Sequence, residues 1–260
     1  MNILITSSGR RVSLTKAFQK ELKNLFPDGR VIASDAEPSL SAACQIADGY
    51  FEMPRFDCPS YITSLIEQCK KHQISLIIPT IDTGLACLAQ NRQILIENGI
   101  IPLVSSIEFI TICRDKRILH DYFKSKGIRV ASEYSRDDYQ FPMFLKPYDG
   151  SRSVDTYVVK KKEDLKDVYF SNERLMFLEY LDPNYHEEFT CDLYYDKTHQ
   201  LKCVVPRKRI EVRDGEVNKA VTQYNELVPF IRQHLTEING AVGCLTAQFF
   251  KHKYDTTICG

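Results

Sequence analysis

Lys146 closes a short apolar run, Phe141-Pro142-Met143-Phe144-Leu145-Lys146-Pro147, and a polar loop follows it at once. That loop, Asp149-Gly150-Ser151-Arg152-Ser153, holds a glycine, two hydroxyls and a guanidinium in consecutive positions. Backbone N–H groups and side chains of such a loop can point at phosphate oxygens. Taken singly, a strand-end lysine is ordinarily just solvated, and surface turns draw on the same residues as the loop. Further on, a second apolar run, Met176-Phe177-Leu178, ends in Glu179-Tyr180-Leu181 before the turn Asp182-Pro183-Asn184. Backbone groups at such a hinge can read an adenine edge while apolar side chains sandwich the ring. A strand-end cation, a loop able to cover phosphates and a hinge strand together make a nucleotide cleft.

Two more stretches carry charge in an ordered way. Strand alternation in Glu188-Phe189-Thr190-Cys191-Asp192 puts Glu188, Thr190 and Asp192 on one face, although an ordinary amphipathic strand reads the same. Pro206-Arg207-Lys208-Arg209-Ile210-Glu211 is a charged strand whose bland reading is a solvated face. Near the start, Gly9-Arg10-Arg11 opens a helical pattern, where an N-terminus flanked by arginines could bind an anion. Asp35 ends the second apolar run, as a ribose-binding acid would, but Ser7-Ser8-Gly9-Arg10-Arg11-Val12 lacks Gly-x-Gly-x-x-Gly. The histidines show no i, i+4 pairing and no Gly-x-Ser-x-Gly occurs, so zinc hydrolysis and serine-nucleophile chemistry have no support.

The elements that must position these residues fall into two patterns. Up to Val104 the chain alternates apolar runs with helical periodicity: Ile3 to Ile5, a helix through Leu14, Phe18, Leu22 and Leu25, then Val31 to Asp35. Helical stretches Tyr61 to Lys71 and Leu85 to Ile96 lead to Leu76-Ile77-Ile78-Pro79 and Ile100 to Val104 as the next strands. Near-continuous apolar strands in β-α units predict a parallel, doubly wound sheet. From Ser105, which has capping-box spacing to Glu108, the pattern changes. Two helical segments, short strands, a helix with a lysine-rich face over Lys160 to Lys166, and then long strands follow. The late strands are Phe189 to Tyr195, Leu201 to Val212 with the turn Asp214-Gly215, and Cys244 to Phe250. The expected fold class is α/β, with an N-terminal Rossmann-like parallel sheet followed by an α+β region.

Composition narrows the partners. Lysine plus arginine and aspartate plus glutamate both total 34, so no global field draws in nucleic acid or an anionic membrane. No apolar run approaches a membrane span, and Met1-Asn2-Ile3-Leu4-Ile5 reads as a strand rather than a signal peptide. Nine scattered cysteines without a Cys-x-x-Cys pair point to reduced thiols in a cytoplasmic, soluble protein. Assembly into a homo-oligomer is compatible with this composition.

The spacing carries a resemblance. Asp115-Lys116, the Phe-Pro run ending at Lys146, the glycine-containing loop, Glu179 and Glu188-Phe189-Thr190 follow one another as in the ATP-grasp superfamily. The sequence resembles the carbamoyl-phosphate synthase large-chain type, and Pro79-Thr80-Ile81-Asp82 is similar to a strand-end motif of the domain that precedes it. The resemblance implies a pre-ATP-grasp domain over 1–105 and an ATP-grasp domain over 106–260. Within the latter it implies a lid at about 128–181 and a C-terminal part at about 182–260. It further implies that Lys116 and Lys146 touch nucleotide phosphates, covered by Gly150, Ser151, Arg152 and Ser153. Glu179, Tyr180 and Leu181 would face adenine, Glu188 the ribose, and Gln248 would be a Mg²⁺ ligand. Arg207 and Arg209 would act in catalysis, on the transferred phosphoryl group or an anionic substrate, and Arg10 and Arg11 would meet a substrate carboxylate. The family's second metal carboxylate lies on a strand shortly after the Gln248 position. Thr257-Ile258-Cys259-Gly260 stands in the run into that strand, so an incomplete C-terminal part is expected.

The implied activity is an ATP- and Mg²⁺-dependent ligase joining a small-molecule carboxylate to an amine or thiol through an acyl phosphate. The alternatives are a non-catalytic or partner-dependent adenine-nucleotide module and a Rossmann-type NAD(P)-binding protein.

Overall fold

The apolar runs of the first hundred residues become parallel strands because each has helices to cover both of its faces. The computed structural model describes residues 1–150, 153–213 and 216–260. The chain divides into two units, Met1–Ile110 and Thr111–Gly260.

In the first unit, strands β1 (Asn2–Thr6), β2 (Val31–Asp35), β3 (Gly49–Glu52), β4 (Ile74–Pro79) and β5 (Ile101–Pro102) form a parallel sheet in the order β3-β2-β1-β4-β5. Leu4, Ile32 and Ile77 pack on one face with Leu65, Leu88 and Leu95. Ile3, Ile5, Val31 and Ile78 pack on the other with Leu22 from the helix Val12–Leu25. Burial on both faces is why these strands read as unbroken apolar runs.

The strand expected over Ile100 to Val104 shrinks to two residues, because Pro102 has no N–H to offer and sits at the sheet edge. The helix expected over Leu85 to Ile96 breaks into Leu85–Gln90 and Arg92–Glu97. At the break, the Asn91 side-chain amide donates to Cys87 O at 2.9 Å, competing with the helix ladder. At the next helix start the Ser106 hydroxyl accepts from the Phe109 N–H at 3.3 Å.

The second unit holds two antiparallel sheets. The smaller contains β6 (Glu133–Tyr134), β7 (Met143–Pro147), β8 (Tyr157–Val159) and β9 (Leu175–Glu179), in the order β6-β9-β7-β8. Met143 and Leu145 face a core with Val159, Tyr169 and Phe177. Alternation therefore turns Phe144 and Lys146 to the opposite face. No helix forms over Lys160 to Lys166: a 3₁₀ turn occupies Lys162–Asp164 and the helix begins at Asp167. Three adjacent lysines repel one another and supply no apolar stripe to bury.

The larger sheet contains β10 (His186–Tyr195), β11 (Leu201–Arg213), β12 (Glu216–Thr222), β13 (Gly243–His252) and β14 (Ile258–Cys259), in the order β12-β11-β10-β13-β14. Asp214 and Gly215, expected as a turn, lie outside the described residues. Phe189, Cys191, Leu193 and Tyr195 are buried on one face. There Phe249 stacks on Phe123 at 6.0 Å and meets Phe230 edge-on at 6.3 Å. The Tyr195 hydroxyl donates to Leu235 O at 2.6 Å. Tyr195→Phe strands that buried carbonyl and is expected to cost about 1–2 kcal/mol, read as a lower urea midpoint. An unmoved midpoint would mean that Leu235 O finds another donor.

Candidate functional site

Lys146 lies on β7 across from Met176 of β9, on the face turned away from the small-sheet core. Desolvation, and then the nearby ammonium of Lys116, push its pKa down to about 8. Lys116 opens the helix Lys116–Ser125, which Asp115 caps through the Arg117 N–H at 2.9 Å. The Lys116 backbone N–H donates to Tyr148 O at 2.8 Å, and its ammonium donates to Gly150 O. Burial lowers the pKa of Lys116 as well, against the pull of Asp149 and Asp115. Two partly desolvated ammonium groups thus converge at the base of the loop, an arrangement that an incoming polyanion would relieve.

The loop base is clamped from several sides. Arg117 pairs with Asp115 at 2.6 Å and lies 3.6 Å over the Tyr148 ring, while Arg174 holds Asp149 at 2.8 Å. Gly150 approaches Pro147 so closely that a Cβ would meet that ring at 3.0 Å. Ser153 has a positive φ of 54°. Ser151 and Arg152 lie outside the described residues. Buried His120, on the same helix as Lys116, was not anticipated from sequence. Desolvation, then Lys146, push its pKa down to about 4, so it is neutral at pH 7 and adds no third charge. Its i, i+4 spacing from Lys116 was the available signal.

At the hinge, the Glu179 carboxylate accepts from Arg129 at 2.7 Å and from the Ser132 N–H at 3.2 Å. Its side chain therefore holds the approach to β6, and its backbone N–H donates to Ser132 O at 2.8 Å. Arg129 pairs across fifty positions, which no local pattern could reveal. Tyr180 lines a cavity of about 380 Å³ with Pro142, Lys160, Asp182, Pro183 and Asn184. Lys146, Leu181 and Glu188 are not part of that cavity's lining.

The larger sheet gathers a second group. Glu188 on β10 pairs with Arg209 at 3.2 Å and accepts a hydrogen bond from the Gln248 amide. Burial raises the Glu188 pKa, with Arg209 opposing. With its nitrogen committed to Glu188, Gln248 keeps its amide oxygen for a hard cation. Arg207 donates to both oxygens of Asp192, at 2.6 and 2.9 Å.

In the first unit, Arg11 reaches across the sheet's switch point, donating to Thr80 O at 2.7 Å and Ser7 O at 3.3 Å. Its guanidinium ties two loops together, while Arg10 is exposed. The Gly9 N–H donates to Asp35 Oδ2 at 2.9 Å, so the two elements of the dinucleotide reading satisfy one another.

Residues 3–103 match the family model for the PylC-like N-terminal domain. No curated protein matches the sequence significantly. Among solved structures, N5-carboxyaminoimidazole synthetase from Staphylococcus aureus superposes with a TM-score of 0.72 at 14% identity, covering 99% of this chain and 68% of that one. L-amino acid ligase from Bacillus licheniformis gives 0.70 at 13%, covering 99% and 65%. Biotin carboxylase from Campylobacter jejuni gives 0.67 at 17%, covering 99% and 64%. Over its whole length the chain shares the fold of these three solved structures, and its residues 3–103 are similar to the PylC-like N-terminal domain.

Proposed function

We propose that this protein is an ATP-dependent ligase that activates a carboxylate as an acyl phosphate and passes it to an amine or thiol. The observation that carries the reading is the convergence of Lys116 and Lys146, both partly desolvated, at the base of the Tyr148–Gly150 loop. Such cations are poised to hold the oxygens of a transferred phosphoryl group, where the protein's work is positioning and charge neutralisation. The proteins it superposes on include an N5-carboxyaminoimidazole synthetase solved with ADP and a biotin carboxylase in a beta-gamma-ATP complex.

In this reading a carboxylate oxygen attacks the γ-phosphorus, ADP leaves, and the nucleophile then displaces phosphate from the acyl carbon. Tyr180 and the hinge backbone receive adenine, and Glu188 receives the ribose hydroxyls. Arg207 and Arg209 hold the phosphoryl group or the carboxylate substrate. Mg²⁺ would supply charge neutralisation at the nucleotide's phosphates, with the Gln248 amide oxygen, a hard oxygen donor of the right kind, to hold it. Among the described residues no cluster of three acidic, histidine or cysteine side chains adds to that set, so most of its ligands would be phosphate oxygens and water. Nine free cysteines support placing it in a reducing compartment such as the cytoplasm.

Calorimetric titration with Mg-ATP, with NADH as the control, tests the reading. Micromolar ATP binding with NADH silent is expected. NADH binding with ATP silent would transfer the site to Gly9 and Asp35. ATP binding without phosphate release, whatever carboxylate and amine are supplied, would leave a nucleotide-binding module instead of a ligase.

A further inference from the structure

The open face of the larger sheet is a grid that its register makes explicit. Thr190 stands between Arg207 and Gln248, Asp192 between Val205 and Thr246, and Tyr194 between Cys203 and Cys244. Paired residues of an antiparallel sheet share a face, and successive rows lie about 7 Å apart. Charge is therefore concentrated at the Arg207 end, and the far row is aromatic and soft. Tyr194 is 40% exposed there, and both flanking thiols are exposed.

Arg207 reaches toward the middle row. It meets Asp192 side-on, through Nε at 2.6 Å and Nη2 at 2.9 Å, and Thr246 donates to the same carboxylate at 3.3 Å. A guanidinium has five N–H groups in a rigid fork. Two are used, and among the described residues the remaining three, on Nη1 and Nη2, have no acceptor. Two of them, one on each Nη, form the end-on fork that receives a carboxylate bidentately. A side chain locked by a carboxylate on one edge holds its other edge in a fixed direction.

We propose that Asp192 and Thr246 are positioning residues that fix Arg207 to bind the carboxylate of an organic acid, whose carbon chain lies along Tyr194 between Cys203 and Cys244. This rests on the ligase reading and deepens it. The substrate is an acid with a body of several carbons, not bicarbonate, which has nothing to place on the far row. The same geometry assigns Asp192 to Arg207 rather than to an amine, because its oxygens already accept three donors.

The two thiols provide the readout. Alkylation of Cys203 and Cys244 by iodoacetamide is followed by mass spectrometry, with Cys58 of the first unit as internal control. Millimolar hexanoate is expected to slow alkylation of Cys203 and Cys244 at least threefold, with or without Mg-ATP. Bicarbonate should leave those rates unchanged. In Asp192→Asn and in Thr246→Val, the hexanoate concentration for half-protection should rise, about tenfold in the former, while unprotected rates and ATP affinity stay within twofold of wild type. Protection by hexylammonium instead of hexanoate would overturn the proposal, as would protection indifferent to both substitutions. No protection by any probe in a chain that binds ATP would remove the subsite and leave the nucleotide reading standing. Protection in a chain that does not bind ATP would support the subsite and sink the nucleotide reading.

Discussion

Lys146→Met should lose most nucleotide affinity and at the same time make the free protein more stable. The ammonium sits on a strand end where desolvation has brought its pKa to about 8 from 10.5. That displacement corresponds to about 3–4 kcal/mol carried by the folded state when the group is charged. The sign follows from proton counting. Between about pH 8 and 10.5 the unfolded chain binds a proton that the folded chain has released, so stability rises with pH across that window. Below pH 8 the full penalty remains. A methionine of similar shape removes it, so a higher urea midpoint at pH 7 is expected, with the gap to wild type closing by pH 10. Binding moves the other way, because the same ammonium is the group that phosphate rewards. Loss of a hydrogen bond between charged groups costs about 1.5–3 kcal/mol of binding. Wild-type ATP affinity should also fall as pH rises through 8, tending toward tenfold per unit. A variant that binds ATP normally would take Lys146 out of the site. One that is less stable at pH 7 would show that its ammonium is well paired.

What the sequence showed of this site, and what it hid, divides along the range of the interactions. Lys146, the glycine loop and the Glu188 face were legible because each is a local pattern: an apolar run ending in a charge, a polar turn, a strict alternation. The parallel sheet was legible for the same reason, since burial on both faces leaves unbroken apolar runs. The helix over Lys160 to Lys166 was misread because spacing alone does not count repulsion among adjacent lysines. The short strand β3 and the helix Ala42–Ile46 were missed, being too brief for periodicity to register. The partners of the charged groups were hidden altogether. Arg11 on Thr80, Arg129 on Glu179 and Asp192 on Arg207 are made by the fold, across positions with no common local signal. These pairs also change what the residues can do. Arg11 is a strap between loops, and the Glu179 side chain is committed before any base arrives.

The Glu188–Arg209 pair separates structural from binding work most sharply. Only 11% of the Arg209 side chain is exposed, and the Glu188 carboxylate 3.2 Å away is 31% exposed. Glu188→Gln preserves the shape and the contact with Gln248 while withdrawing the charge that faces the guanidinium. A largely buried cation that loses its counter-ion costs about 3 kcal/mol or more, whereas replacing both members by neutral residues is often close to neutral. Glu188→Gln should therefore lower the urea midpoint clearly, and Glu188→Gln with Arg209→Met should recover most of it. ATP affinity should not follow the same course. If Glu188 receives the ribose hydroxyls, its charged hydrogen bonds supply about 1.5–3 kcal/mol to binding that an amide does not fully replace. The double variant would then be stable and still bind ATP at least tenfold more weakly than wild type. If it regains wild-type affinity together with stability, Glu188 serves only to hold Arg209, and the ribose must be met elsewhere on the sheet. If the single variant keeps its stability, the guanidinium draws its compensation from other groups, and Glu188 is free to turn toward a ligand.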